Sequence, residues 1–199
     1  MSLPRVYPIV DSAAWVARLA PAGIRLLQLR IKDDRPAHLA AEIAAARDLC
    51  RAAGIQLVVN DHWQEALCLG CDFVHLGQED LDGADLAALR RAGVRLGVST
   101  HSEAELERAL AVEPDYIALG PVYHTTLKVM PWQPQGLGRV REWKQRVGAR
   151  PLVAIGGITL ARLPEVFAAG ADVAAVVSDI VLSRDPESQA RHWLHAAAA

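Results

Sequence analysis

Residues 56–77 read QLVVNDHWQEALCLGCDFVHLG, two short apolar runs, QLVVND (56–61) and FVHLG (73–77), separated by a segment of helical spacing that Gly70 closes. Runs of that length, apolar enough to be buried on both faces and joined through a helix, predict a parallel βα unit. Working outward, the same alternation recurs along all 199 residues. Further strand-like runs are VYPIVD (6–11), IRLLQLRI (24–31), RLGVST (95–100), YIALG (116–120), PLVAIG (151–156) and VAAVVS (173–178). The amphipathic segments between them often end in glycine, as at Gly23, Gly54, Gly93 and Gly170, which is the expected helix C-terminal signal. Eight strands alternating with seven or eight helices predict an α/β fold, a single-domain (β/α)8 TIM barrel over residues 1–199. An open doubly wound sheet is the second reading.

Composition narrows the function classes. Apolar residues make up 52% and charged residues 22%, as in a soluble globular protein. Twenty-one Lys and Arg face twenty-three Asp and Glu without a long like-charge block, so the footprint of a nucleic-acid binder is missing. No apolar run approaches the roughly 18 residues of a membrane span. The N-terminus goes straight into a strand-like run, and the expected location is cytoplasmic. Cys68 and Cys71 are spaced CLGC, but no second ligand pair stands at zinc-site spacing, so packed or idle thiols are expected. Whether the chain forms a homo-oligomer is left open.

In either fold the chemistry belongs at the C-terminal ends of the strands. In LLQLRIK, Leu27, Leu29 and Ile31 share one face and Gln28, Arg30 and Lys32 the other. With the apolar face under the helices, an amide and two cations point inward. Unpaired buried cations cost several kcal/mol each, so an anion is expected there, either a ligand or an internal network with Asp61 or Asp80. Asp61 ends the third strand and Asp80 follows the fourth in HLGQED. Alone, Asp61 is explained as a helix cap. Together the two carboxylates suit Mg²⁺, which is held by one or two carboxylates plus waters and substrate phosphates. Ser99 or Thr100 is expected to cap the helix that starts near Ser102. Gly156 and Gly157 after strand seven, with Val177 and Ser178 after strand eight, suit a neutral phosphate site built from backbone. The residues thus imply two anion sites in one mouth, one for a diphosphate with a metal and one for a monophosphate ester.

One irregular stretch remains, GPVYHTTLKVMPWQPQGLG at 120–138. Loops that long in compact domains are functional or disordered. Residues 121–137 are expected to form a lid, with Gly136 and Gly138 as hinge points and Trp132 as a cover or a packing anchor.

The stretches LLQLRIKD, VVNDHW, VHLGQEDL, RLGVSTH, YIALGPVY, MPWQPQGL, VAIGGI and AVVSDI, in this order, closely resemble the thiamin-phosphate synthase family nearly end to end. The resemblance implies a transferase joining a hydroxymethylpyrimidine diphosphate to a hydroxyethylthiazole phosphate. It implies Mg²⁺ on Asp61 and Asp80, and diphosphate contacts from Arg30, Lys32, Asn60 and Lys128. It further implies that Gln28 orients the pyrimidine, that Ser99 lies near the reacting methylene, and that Gly156, Gly157, Val177 and Ser178 surround the thiazole phosphate. His75 and Gln78 would line the pyrimidine end, and Thr125 would contact substrate from the loop. The family commonly reads P-T-x-T-K after strand six, where this chain has His124-Thr125-Thr126-Leu127-Lys128. Leu127 stands in place of the second threonine, an expected cost of about 1 kcal/mol for one hydrogen bond that Thr126 or a water offsets. The competing readings are a thiazole tautomerase-like relative and a non-catalytic phosphate-binding relative.

Overall fold

Strands rich in Val, Ile and Leu that must be covered on both sides have few ways to close, and this chain closes them into a ring. The computed structural model describes residues 3–32, 35–125 and 133–198. The strands are β1 (Val6–Val10), β2 (Leu26–Leu29), β3 (Gln56–Asn60), β4 (Phe73–Leu76), β5 (Arg95–Thr100), β6 (Tyr116–Leu119), β7 (Leu152–Ala154) and β8 (Val173–Val176). Each pairs in parallel with its sequence neighbours, and β8 returns to β1 to complete the barrel. The open sheet is thereby replaced by the closed (β/α)8 form.

The helices between them are α1 (Ala13–Leu19), α2 (Pro36–Ala53), α3 (Trp63–Cys68), α4 (Gln78–Gly83) and α5 (Leu86–Arg91). They continue as α6 (Glu103–Ala111), α7 (Gly136–Val147), α8 (Leu163–Ala168), α9 (Ser178–Val181) and α10 (Pro186–Ala198). Between β4 and β5 the chain forms two short helices, α4 and α5, with a break after Gly83, and a short α9 precedes α10. The break leaves α4 to serve the mouth of the barrel, while Asp85 starts α5 afresh by accepting the Ala88 amide at 2.8 Å.

Period-two alternation divides each strand between two cores. Leu27, Leu29, Leu57, Val59, Val74 and Leu76 pack outward under the helices. Tyr7, Ile9, Leu26, Val58, Phe73, Tyr116, Ala118, Val153, Val173 and Ala175 fill the barrel interior. At about 25 cal/mol per Å² of apolar surface, burying one Leu or Ile stabilises by about 1.5–3 kcal/mol, so the pattern by itself fixes which face is in. Two tryptophans fasten helices to the barrel through their only polar atom. Trp143 of α7 donates to Thr100 Oγ1 at 2.8 Å, and Trp193 of α10 donates to Asp179 Oδ2 at 2.7 Å.

Thr100 is therefore an outward tie, also donating to the Ala118 carbonyl at 2.9 Å, and it caps nothing. The expected capping by Ser99 or Thr100 is corrected: Ser102 caps α6, accepting the Glu105 amide at 3.3 Å. The alternation explains this, because Ser99 faces the interior and Thr100 the helices.

Candidate active site

At the C-terminal end of the barrel a cavity of roughly 1040 Å³ opens. Its walls contain Gln28, Arg30, Lys32, Asn60, Asp61, His75, Gln78, Asp80, Ser99, Thr125, Gly156, Gly157, Val177 and Ser178. Every described residue that the family resemblance assigned to the site thus lines one space. Lys128, Thr126, Leu127 and Trp132 lie outside the described residues.

The β2–β4 side carries the charge. Arg30 follows β2, Asp61 follows β3, and Asp80 sits in the first turn of α4. Asp61 does not cap α3, whose N-cap position is His62. Its backbone instead takes φ 63, a left-handed conformation uncommon outside glycine, though aspartate tolerates it better than most residues. Burial, reinforced by the charge and hydrogen bond of Asp80, pushes the Asp61 carboxyl up to about 6. Arg30 pulls the other way and does not prevail, so the carboxylates are not neutralised from within. Among the described residues neither Arg30 nor Lys32 enters a side-chain ion pair, which leaves both for an anion. Gly77 makes room for the pair, since a Cβ there would lie 2.9 Å from Asp80 Oδ2.

A carboxyl whose proton affinity is raised by burial and by an adjoining carboxylate fits a divalent cation better than it fits that neighbour. Among the described residues no cluster of three or more His, Cys, Asp or Glu could hold a metal. The donor set is two carboxylates, the number that Mg²⁺ takes when waters and phosphates complete its shell.

The β7–β8 side is neutral. Gly156 and Gly157 have φ 99 and 64, and both back onto the chain after β6. A Cβ on Gly157 would lie 2.5 Å from the His124 carbonyl oxygen, and one on Gly156 2.6 Å from Pro121. The glycines are thus required by the neighbouring loop as well as by any ligand. The same loop is knitted down by backbone bonds, Val122 N–H to Ile155 O at 2.8 Å and Tyr123 N–H to Gly156 O at 3.0 Å. On its far side, Gln135 and Gly136 donate to Pro121 and Val122 at 2.7 and 2.9 Å. Gly136 and Gly138 consequently lie in α7, and Gly136 is pinned to the stem of the loop rather than free to hinge. Val177 and Ser178 lie where β8 passes into α9.

The interior floor holds what the sequence reading missed. Gln28 Nε2 donates to Tyr7 Oη at 3.0 Å, Tyr7 and Tyr116 hydroxyls lie 3.1 Å apart, and Tyr116 Oη is 2.7 Å from His75 Nδ1. His75 Nε2 in turn lies 2.7 Å from Ser99 Oγ. Burial lowers the His75 pKa to about 4 and raises those of both tyrosines. A usable signal was present: Tyr7 and Tyr116 occupy inward positions of otherwise apolar strands, and a buried phenol needs a partner. Gln78 donates to the Ser99 carbonyl at 2.7 Å, while its Oε1 is buried without a partner among the described residues.

Residues 6–180 match the family model described as thiamine monophosphate synthase. A thiamine-phosphate synthase of Rhizobium etli is 58% identical over 198 residues, 100% of this chain and 97% of that protein. The chain belongs to the thiamine monophosphate synthase family. Another thiamine-phosphate synthase, from Escherichia coli O1:K1, is 50% identical over 180 residues, 90% of this chain and 85% of that protein. The solved thiamine phosphate pyrophosphorylase of Pyrococcus furiosus superposes with a TM-score of 0.85 at 27% identity, covering 98% of this chain and 96% of that one. Family membership and the closed barrel agree with the resemblance carried by LLQLRIKD, VHLGQEDL and RLGVSTH. No helix among the described residues is long and apolar enough to cross a membrane.

Proposed function

We propose that this chain joins 4-amino-2-methyl-5-hydroxymethylpyrimidine diphosphate to 4-methyl-5-(2-hydroxyethyl)thiazole phosphate, releasing pyrophosphate and giving thiamin phosphate. The observation that carries the reading is the division of one cavity into a charged half with paired carboxylates and a neutral half with paired glycines. A diphosphate leaving group needs the first; a monophosphate ester is served by the second.

The C–O bond to diphosphate breaks largely before the thiazole nitrogen attacks the methylene, because the aminopyrimidine stabilises the cation. The electron pair leaves with the diphosphate, so the protein needs no strong base. Arg30 and Lys32 stabilise the negative charge that grows on the departing oxygens, a role the family resemblance extends to Lys128, which lies outside the described residues. Magnesium held by Asp61 and Asp80 would supply further neutralisation of that charge. Asn60 contacts the same diphosphate, and Gln28, His75 and Gln78 enclose the pyrimidine end. The thiazole phosphate is held by Gly156, Gly157, Val177 and Ser178, across the cavity from the charged half. Thr125, at the cavity wall, contacts substrate from the segment after β6. Cys50, Cys68 and Cys71 are free thiols, which suits a cytoplasmic enzyme.

The test is direct. Both substrates are mixed with Mg²⁺ and thiamin phosphate is quantified together with pyrophosphate. Stoichiometric product supports the synthase. Absence of product with metal present, together with tight binding of the thiazole phosphate, would overturn it in favour of a tautomerase-like relative.

A further inference from the structure

Four hydrogen bonds cross the barrel interior in series, from Gln28 through Tyr7, Tyr116 and His75 to Ser99. Their members come from β2, β1, β6, β4 and β5, so the series exists only because the barrel is closed. Gly97 clears the ground for it. Gly97 is the register partner of both His75 and Tyr116, and a Cβ there would lie 2.1 Å from Tyr116 Cζ. The tyrosine ring takes that space and stacks on His75 with centroids 5.5 Å apart and planes 12° from parallel.

The bonds have a direction. The amide Nε2 of Gln28 can only donate, so Tyr7 Oη accepts from it and must place its own proton elsewhere. Tyr116 Oη is the remaining partner, and it passes its proton to His75 Nδ1. A neutral imidazole that accepts at Nδ1 donates at Nε2, to Ser99 Oγ. Run in reverse, the series would leave the proton of Tyr7, a residue 1% exposed, without a side-chain acceptor among the described residues, a cost that buried donors avoid. All five border the cavity, but Ser99 alone of them is half-buried rather than buried, and it has no further side-chain partner among the described residues.

We infer that Tyr7, Tyr116 and His75 are positioning residues that hold His75 as its Nε2–H tautomer and so turn the Ser99 hydroxyl proton out into the substrate cavity. Ser99 then presents an oriented donor to the oxygen of the leaving diphosphate. That last role rests on the proposed synthase reaction, whereas the direction of the series does not.

Two measurements test this separately. Nitrogen-15 spectra of histidine-labelled protein without substrate, with His75 assigned through His75→Gln, should show Nε2 protonated and Nδ1 bare. A protonated Nδ1 overturns the inference whether or not the chain makes thiamin phosphate. In the kinetic arm, Tyr116→Phe should lower kcat about tenfold, the worth of one oriented hydrogen bond, with KM for the thiazole phosphate changed by less than about twofold. In a Ser99→Ala background the same substitution should cost less than about twofold, because its effect passes through the serine. Equal losses in both backgrounds would mean that Tyr116 is only packing, and would overturn it.

Discussion

Arg30, Lys32, Asp61 and Asp80 stand on the β2–β4 side of the mouth, and Gly156, Gly157, Val177 and Ser178 on the β7–β8 side. Both groups are suited to phosphate, and they meet its cost in different ways. The first concentrates charge, and the cost falls on the protein itself: a carboxyl raised to about 6 and a non-glycine residue at φ 63. The second carries no charge in those four residues, and its unusual backbone is left to glycines, which adopt it freely. A site that must release a diphosphate has to stabilise charge that grows during the reaction, which preformed cations and a metal can do. One that only holds a phosphate through the reaction needs fixed N–H groups and no change in charge.

The contrast is broken most severely at the carboxylates. Asp61→Asn keeps a side chain that tolerates left-handed backbone, and it removes the charge repulsion with Asp80. We expect kcat/KM to fall by about a thousandfold or more, while the melting temperature without metal stays level or rises. Retained activity would show that the pair is not the metal site. Arg30→Met should cost about a hundredfold in kcat/KM for the pyrimidine diphosphate, with calorimetric affinity for the thiazole phosphate unchanged. A matching loss for both ligands would erase the division between the halves.

On the neutral side, Gly157→Ala forces a Cβ against the His124 carbonyl at a φ that L-residues avoid. It should destabilise by about 1–3 kcal/mol in denaturant titrations and raise KM for the thiazole phosphate about tenfold, leaving the diphosphate KM alone.

A subtler difference is visible in pH dependence. Between about pH 4 and 6.5 the unfolded chain protonates His75 and the folded chain does not, so this group adds stability as pH rises. Asp61 acts in reverse: between 3.8 and about 6 the folded chain keeps a proton the unfolded chain has lost, and stability falls as pH rises. The two nearly cancel, and His75→Gln should unmask a melting temperature that declines from about pH 4 to 6 in metal-free buffer. A profile that instead climbs with pH would contradict the assignment. The smallest change is expected at Leu127→Thr, which restores one hydroxyl. It should raise kcat/KM by no more than about tenfold, and a hundredfold rise would show that leucine cripples the site.

Much of this was legible residue by residue. A strand's side chains alternate with a period of two whatever the rest of the chain does, so Gln28, Arg30 and Lys32 could be placed inward, and Ser99 could have been by the same rule. Strand-end chemistry follows from the parallel barrel, so Asn60, Asp61, Gly156, Gly157 and Ser178 could be assigned to one mouth before any coordinates. The cap at Ser102 was misplaced by two or three residues because serine and threonine cap helices and also bond across strands, and local composition does not separate the uses.

The chain alone thus determined the eight-fold alternation, the inward and outward faces and the charge of each strand end, since these depend on neighbours within a few positions. Only the tertiary structure decided that Tyr7 would meet Tyr116, 109 residues away, that Gly97 would clear space for that ring, and that the 121–124 segment would rest on Gly156 and Gly157. The first needs β8 closed on β1, and the other two need β5, β6 and β7 side by side, distances between strands that no local pattern encodes.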